Sequence, residues 1–218
     1  MVILYGINLS TFTRKVRLAL LEKGIEHKLE VAPMGSPKIR AMHPLGQIPV
    51  LEDRGETIPD SSVIIAYLER AYPATPLYPA AAGAMARALW LEEYADTQLR
   101  KVTLPFFTEN VVKPLFQGKP GDAQALADAA APRDQAFAWL EQQLGDASYA
   151  VGEALTVADV AIGAQLITCF QGNGELDPVR WPRLKRYVEG LFSRPLWAPI
   201  LAEEEAALNA AQSRRASK

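Results

Sequence analysis

The chain has 218 residues, of which 49% are hydrophobic and 22% are charged, and its formal net charge is −2. A chain of this length forms one large domain or two small ones, with enough apolar residues for a core. Because the net charge is small and negative, the composition predicts neither a nucleic-acid partner nor an anionic membrane partner. The single cysteine, Cys169, excludes an internal disulfide framework and argues against a structural zinc site.

Targeting and membrane signals are also missing from the pattern. No apolar run approaches the ~20 residues that a membrane-spanning helix needs. Met1 leads directly into an apolar run, without the basic segment and cleavage site of a secretory signal. We therefore expect a cytoplasmic protein with no membrane partner.

Residues 1–71 alternate between strand and helix patterns, as in an α/β domain. Strands are predicted at Val2–Gly6, His27–Val31, Ile48–Leu51 and Thr57–Ile58, and helices over residues 12–23, weakly after Pro33, and from a cap at Ser61 or Ser62 to Ala71. The first strand–helix–strand unit should be a right-handed parallel crossover. The strands at Ile48 and Thr57 should form an antiparallel hairpin.

Three prolines, Pro73, Pro76 and Pro79, interrupt residues 72–83 and cannot continue a helix. We place a domain boundary there, between a first domain at 1–78 and a second at 84–218. The second domain has an all-helical pattern. Its helices are predicted at 84–103, at 122–144 with an interruption or a start near Pro132, from Thr156, around the apolar stripe 184–191, and at 195–211.

The loop between the first strand and the first helix carries a hydroxyl, Ser10, at the helix start. A helix N-terminus directs unpaired N–H groups and a partial positive charge outward. Ser10 can cap the helix or donate to an anion, and the loop alone favours the cap. Facing a proline–strand turn at Pro49, this layout is that of a thioredoxin-like fold, whose redox members place Cys-x-x-Cys here. Residues 10–13 contain no cysteine, so what remains is stabilisation of a thiolate from another molecule.

Two further segments predict the binding of a small peptide. A cis bond before Pro49 would turn the backbone of Ile48 outward, where it can pair with an extended peptide. Asp60 and Ser61 begin a helix, and an acid with a hydroxyl at that position can hold the charged end of a peptide. Pro49, Asp60 and Ser61 all suit one peptide ligand.

Taken together, these segments resemble a cytosolic glutathione transferase of the bacterial, serine type, over about the entire chain. The resemblance rests on four segments in the family's order: Ser10–Arg17, His43–Leu51, Asp60-Ser61 and Thr156–Asp159. It implies an α/β plus all-α protein, with an N-terminal thioredoxin-like domain followed by an all-helical C-terminal domain, the glutathione transferase fold. It also implies a homodimer that uses glutathione as co-substrate, a hydrophobic electrophile as second substrate, and no metal.

The resemblance assigns roles to the residues of the middle segments. Pro49 would be the cis proline, and the backbone N–H and C=O of Ile48 would pair with the cysteinyl unit of glutathione. Gln47 would reach the glycyl end. Ser61 would donate to the γ-glutamyl carboxylate, and Asp60 would accept from the α-amino group.

By the same resemblance, Ser10 would donate its hydroxyl to the glutathione sulfur. Thr11 supplies the hydroxyl instead if the loop register shifts by one residue. Tyr5, at the end of the first strand, resembles the tyrosine that other classes of the family use.

The chain departs from the family pattern at one point. Residues 34–37 lack the basic residue that some serine-type classes use for the glycyl carboxylate. Lys38, Arg40 or His43 could take its place.

The implied activity is attack of the glutathione thiolate on a hydrophobic electrophile, as in detoxification, or a related reaction such as peroxide reduction. The alternative is a non-catalytic binding or interaction module that keeps the fold and has lost the chemistry. The presence of Gln47–Pro49 and Asp60-Ser61 favours the enzyme.

Overall fold

Two structural units make up the chain in the computed structural model, which describes residues 1–216. The first unit comprises Met1–Tyr78 and Pro195–Glu204, and the second comprises Pro79–Arg194 with the residues from Glu205 onward. The domain limits inferred from the prolines, 1–78 and 84–218, stay a prediction. Within the described residues, no helix is both long enough and apolar enough to cross a membrane.

The first unit contains a four-stranded sheet in the order β2-β1-β3-β4. Its elements are β1 (Val2–Gly6), α1 (Thr11–Glu22), β2 (His27–Val31), α2 (Pro37–Met42), β3 (Val50–Asp53), β4 (Glu56–Pro59) and α3 (Ser61–Ala71). β1 and β2 are parallel, whereas β3 is antiparallel to β1 and to β4. The predicted parallel pair and the predicted hairpin are both confirmed.

Each face of this sheet has its own apolar layer, because successive side chains of a strand point to opposite faces. Leu4 packs in a cluster with buried residues of α1 and α3, among them Val16, Leu20, Ile64 and Leu68. Its neighbour Tyr5 packs in a different cluster, with Val50 and with Ile39 of α2. α1 is therefore held on one face of the sheet, and Tyr5 belongs to the other.

β3 begins at Val50, so the prediction of a strand starting at Ile48 is wrong by two residues. Proline has no N–H to give to a ladder, and pairing with β1 starts only after Pro49, where Val50 lies opposite Tyr5. Ile48 therefore lies in the connection that precedes the strand, not in the sheet itself.

In the described part of the second unit, all of the regular secondary structure is helical. Its elements are α4 (Ala82–Tyr94), a π-helical turn (Ala95–Leu99), α5 (Arg100–Phe107), a π-helical segment (Thr108–Gln117), α6 (Ala123–Leu144), α7 (Val157–Gln171) and α8 (Pro182–Phe192). The last helix, α9 (Ala198–Ala216), belongs to the first unit as far as Glu204. The predicted fold class, an α/β unit with an all-helical unit, is confirmed.

Two helices of this unit differ from their predicted limits. The helix predicted to end at 103 continues through Pro105, and α6 runs without interruption through Pro132. An internal proline removes one backbone hydrogen bond, but α6 already has a good start. The carboxylate of Asp122 accepts from the N–H groups of Gln124 and Ala125 at 2.9 and 3.2 Å.

The predicted start of α7 is confirmed. Thr156 is the N-cap, and Asp159 accepts hydrogen bonds from the N–H and the hydroxyl of Thr156 at 2.7 and 2.9 Å. The same carboxylate accepts from the N–H of Ala150 at 2.7 Å and from the phenol of Tyr187 at 2.9 Å. Asp159 therefore joins the α7 start to the preceding loop and to α8.

Candidate active site

The sheet register brings the three predicted segments to one end of the sheet. Tyr5 near the end of β1 lies opposite Val50 at the start of β3, and Val50 lies opposite Pro59 at the end of β4. The chain therefore leaves β1, enters β3 and leaves β4 at the same end. We call this the loop end of the sheet, and it consists of residues 7–10, 46–49 and 60–61.

Ser10 is the N-cap of α1, as the loop pattern favoured. Its Oγ accepts a hydrogen bond from the N–H of Thr13 at 3.3 Å, and the residue is half-buried. A hydroxyl that accepts one hydrogen bond still has its own hydrogen to donate. Capping and donation to an anion are therefore compatible in the same side chain.

Two backbone features fix where Ser10 stands. A Cβ built on Gly6 would lie 2.4 Å from Oγ1 of Thr13, so only glycine lets the end of β1 approach α1 this closely. Leu9 has a φ of 69°, in the left-handed region that branched side chains rarely adopt. The short loop thus reaches Ser10 through a strained residue.

The two alternatives to Ser10 are placed differently. Thr11 is the first residue of α1 and is buried. Tyr5 is also buried and donates its phenol hydrogen to Oε2 of Glu52 at 2.5 Å. That hydrogen bond and burial raise the pKa of Tyr5. The ammonium of Lys38 lies 4.3 Å from the centre of its ring, so the phenol is engaged on the α2 face of the sheet.

The Ile48–Pro49 peptide bond is cis, as the resemblance implied. Within the described part of the chain, the backbone N–H and C=O of Ile48 take part in no strand pairing and in no turn hydrogen bond. Gln47 beside it is exposed. The segment offers one donor and one acceptor of the main chain at the loop end.

Asp60 caps α3, so the prediction of a cap at Ser61 or Ser62 is wrong. Its Oδ1 accepts from the N–H groups of Ser62 and Val63 at 2.9 and 3.2 Å. Its φ is 72° and its ψ 134°, a conformation that costs free energy outside glycine. Ser61 becomes the first helical residue and is only 5% exposed, so its side chain stands where the N-terminal N–H groups concentrate positive charge.

Sequence reasoning missed Lys15, which links the starts of two helices. Its ammonium donates to Oγ of Ser62 at 2.9 Å, and the side chain is fully buried. The signal was a lysine on the inward face of α1, four residues after the buried Thr11. Its charge adds to the positive potential at the start of α3.

The three basic candidates for the glycyl end differ in what they contact. Lys38 forms an ion pair with Glu30. His43 is buried, and its Nδ1 accepts from a backbone N–H at 3.1 Å. Arg40 is exposed and donates from Nε to the carbonyl of Gly35 at 2.9 Å.

The position of Arg40 follows from the loops around it. Gly35 donates its N–H to the carbonyl of Gly46 at 2.8 Å, which ties the loop after β2 to the segment before Pro49. A Cβ built on Gly46 would lie 3.3 Å from Cγ of Arg40. Arg40 therefore stands beside the segment that carries Gln47.

Family models match both halves of the chain. The model described as glutathione S-transferase, N-terminal domain, matches residues 4–76, and the model described as glutathione S-transferase, C-terminal domain, matches residues 123–190.

Relatives of similar length match nearly the whole chain. A glutathione S-transferase of Pseudomonas putida is 30% identical, over 95% of this chain and 94% of its own length. Glutathione S-transferase 3 of Zea mays is 31% identical, over 91% and 92%. The crystal structure of a glutathione S-transferase from Rhodospirillum rubrum F11 has a TM-score of 0.84 and 26% identity, covering 92% of this chain and 91% of that one.

Proposed function

Since this chain belongs to the glutathione S-transferase family and is a glutathione transferase, we propose how its residues carry out that activity. Glutathione lies at the loop end of the sheet, and its sulfur, held as the thiolate, attacks hydrophobic electrophiles. The observation that carries this proposal is the convergence of Ser10, the unengaged backbone of Ile48 and the start of α3 at one end of the sheet.

The centre of glutathione pairs with the main chain at residue 48. One N–H and one C=O of Ile48 match the C=O and N–H of an extended cysteinyl unit, as in the addition of a strand. Pro49 cannot donate, so the pairing stops at Ile48 on the side of β3. This fixes the cysteinyl unit beside the loop that carries Ser10.

The γ-glutamyl end of glutathione carries one carboxylate and one ammonium group, and the start of α3 offers a partner for each. The hydroxyl of Ser61 and the N-terminus of α3 receive its carboxylate, and the buried ammonium of Lys15 adds to the positive potential there. Asp60 uses Oδ1 for the cap, so its second oxygen, Oδ2, accepts from the α-amino group.

The glycyl end reaches Gln47, and its carboxylate pairs with Arg40. Of the three basic candidates, Arg40 is the one that is exposed beside the segment before Pro49. A guanidinium suits a carboxylate because its fork can donate two parallel hydrogen bonds.

Ser10 donates its hydroxyl to the sulfur, and we favour it over Tyr5, whose phenol hydrogen already goes to Glu52, and over the buried Thr11. A free thiol has a pKa of about 8.5 and is only a few per cent thiolate at pH 7. A hydrogen bond to a charged group contributes about 1.5–3 kcal/mol, which lowers the thiol pKa by about one to two units. The α1 dipole acts in the same direction.

In the conjugation step, the sulfur lone pair forms a bond to the electrophilic carbon, and the leaving group departs with the bonding pair. Reduction of a peroxide by the same thiolate is a related activity that this site would support. A non-catalytic module has no observation in its favour here. Detoxification in the cytoplasm is part of the proposal, on family grounds.

A homodimer is also part of the proposal, and an exposed aromatic patch on α4 and α6 supports it. The rings of Trp90, Tyr94 and Trp139 lie in tilted and edge-to-face arrangements, with ring centres 4.3 to 6.4 Å apart, and Tyr94 and Trp139 are half-buried. Trp90 is 48% exposed, and Met85 and Leu89 on the same helix are also exposed. Clustered apolar side chains on a surface mark an interaction site.

The test of the mechanism replaces Ser10 in two ways. Ser10→Ala should raise the pKa of bound glutathione by about one to two units and lower kcat/KM at neutral pH roughly 10- to 100-fold. Ser10→Asp keeps a side chain that can cap α1, so the protein should stay folded. The ionised carboxylate has no hydrogen to donate, so the thiol pKa should rise and kcat/KM should fall at least as much as in Ser10→Ala. Ultraviolet absorbance of the thiolate against pH gives the pKa.

Thr11→Ala and Tyr5→Phe are the matched variants, and both should leave that pKa unchanged. Full activity and an unchanged thiol pKa in Ser10→Ala would remove Ser10 from the mechanism.

A further inference from the structure

A closed set of three side chains ties the loop before Ser10 to the last helix. Asn8 donates from Nδ2 to Oε1 of Glu203 at 2.8 Å, and Arg17 donates from Nη1 to Oδ1 of Asn8 at 3.2 Å. Nη2 of Arg17 and Oε2 of Glu203 complete the set at 2.5 Å. Each member contacts the other two, and all three belong to the first unit.

The residue between this set and Ser10 is the strained Leu9. A non-glycine residue at a φ of 69° is strained and persists only when its surroundings over-determine it. On one side, Asn8 is held by Arg17 and Glu203. On the other side, the N–H of Ser10 donates to the carbonyl of Ile7 at 3.3 Å, and the Oγ of Ser10 caps α1 by accepting from the N–H of Thr13.

The carboxylate of Glu203 is charged, which strengthens its contacts with Asn8 and Arg17. Burial alone would raise its pKa, but the hydrogen bond and charge of Arg17, with the hydrogen bond from Asn8, outweigh it and lower the pKa. The carboxylate is therefore ionised at neutral pH, and its contacts are charge-assisted, which makes them stronger than neutral ones.

The attachment of α9 to α1 does not depend on Glu203 alone. The next residue, Glu204, forms a buried ion pair with Arg14, whose Nε lies 2.9 Å from both carboxylate oxygens. Trp197 also donates to Glu22 of α1 at 2.8 Å. Glu203 itself is 42% exposed, so its loss should alter the loop and leave the docking of the helix in place.

We infer that Glu203 is a positioning residue for the reaction: with Asn8 and Arg17, it holds Leu9 in the left-handed conformation and so aims the Ser10 hydroxyl at the glutathione sulfur. This inference rests on the role proposed for Ser10. Glu203 acts through the loop and does not touch the substrate.

The sign of one measurement separates positioning from simple charge. Glu203→Ala removes a negative charge from the first unit, which by itself would lower the thiol pKa of bound glutathione. Loss of positioning acts oppositely. We expect a rise of about half a unit to one unit, and a fall in kcat/KM of about 3- to 10-fold at neutral pH, a fraction of the effect of losing the hydroxyl.

Glu205→Ala is the matched control, because it removes the same charge from an exposed position of α9. It should leave the melting temperature unchanged and should not raise the thiol pKa. Glu203→Ala should likewise melt close to the parent protein.

A double-mutant cycle with Ser10→Ala completes the experiment. If Glu203 acts through Ser10, then Glu203→Ala has no further effect once the hydroxyl is gone. A raised pKa in Ser10→Ala with an unchanged or lowered pKa in Glu203→Ala, or full additivity, overturns the inference and leaves the function standing. An unchanged pKa in Ser10→Ala removes Ser10 from the mechanism, and the inference falls with it.

Discussion

At the scale of single residues, the packing around Cys169 makes its thiol unreactive. It is fully buried in α7, and burial raises the pKa of its thiol to about 12. A Cβ built on Gly174 would lie 2.3 Å from its Sγ, so the surroundings leave no space for a reagent. It is the only cysteine of the chain, so any thiolate seen in a titration with glutathione belongs to the ligand.

The native protein should therefore resist thiol reagents. At pH 8 we expect Cys169 to react with a disulfide reagent at least about 1,000-fold more slowly than free glutathione, because both thiolate fraction and access are low. Because the pKa is about 12, the rate should keep rising with pH and should not level off at about 8.5, where an ordinary thiol titrates. In urea, one equivalent should react rapidly. Native labelling at the rate of free glutathione would contradict the burial.

Individual site residues could be predicted where the signal was local. Ser10, Asp60 and Ser61 stand at helix starts, and the cis bond before Pro49 has a sequence signature. Which residue of 60–62 caps α3 depends on the positive φ of Asp60, which no local pattern reveals. Glu203 could not be found, since its partner Asn8 is 195 positions away in the chain.

At the scale of elements, α7 depends most on its first turn. Its residues from Val157 to Cys169 are all buried, so the helix cannot satisfy its N-terminal N–H groups with solvent. The capping box does part of this, because the side chain of Thr156 accepts from the N–H of Asp159 and the carboxylate of Asp159 accepts from the N–H of Thr156. The same carboxylate also accepts from the N–H of Ala150 in the preceding loop and from the phenol of Tyr187 in α8. One carboxylate thus accepts hydrogen bonds from the preceding loop, from the N-cap residue and from α8.

Asp159→Ala should destabilise the protein by about 3 kcal/mol or more, because several buried donors lose their acceptor at about 1–3 kcal/mol each. Asp159→Asn keeps one acceptor oxygen, so its loss of stability should lie between zero and that of Asp159→Ala. The matched cap variant is Asp122→Ala at the exposed start of α6, which should cost about 1 kcal/mol. Urea unfolding measures all three, and equal losses for Asp159→Ala and Asp122→Ala would refute the special role of the α7 start.

The elements themselves were largely predictable, since periods of two and 3.6 residues are local properties. The four strands, their pairing and the α7 start followed from such patterns. Apart from the start of α3, which lies at Asp60, the errors described above lie at prolines. Pro49 delayed β3, whereas Pro105 and Pro132 were tolerated inside helices, because buried side chains elsewhere on those helices offset one missing hydrogen bond.

At the scale of the whole molecule, the aromatic patch predicts self-association. Trp90→Asp should weaken the dimer roughly 30-fold or more, because it puts a charge where an anchor aromatic would be buried. Phe116→Asp is the matched control, since Phe116 is equally exposed, at 53%, but lies in the π-helical segment. Sedimentation equilibrium measures both, and a parent protein that stays monomeric at high concentration would sink the proposal.

The buried pair of Arg14 and Glu204 has a consequence for attempts to transplant the thioredoxin-like module. A gene fragment ending after Tyr78 would encode the four strands that the structure describes and the residues proposed to bind glutathione. It would also strip the guanidinium of Arg14 of the carboxylate that it meets in the interior, and stranding a buried cation in this way costs about 3–5 kcal/mol. A graft that keeps the residues 195–204 on a linker, or that replaces Arg14 with an apolar side chain, avoids that penalty.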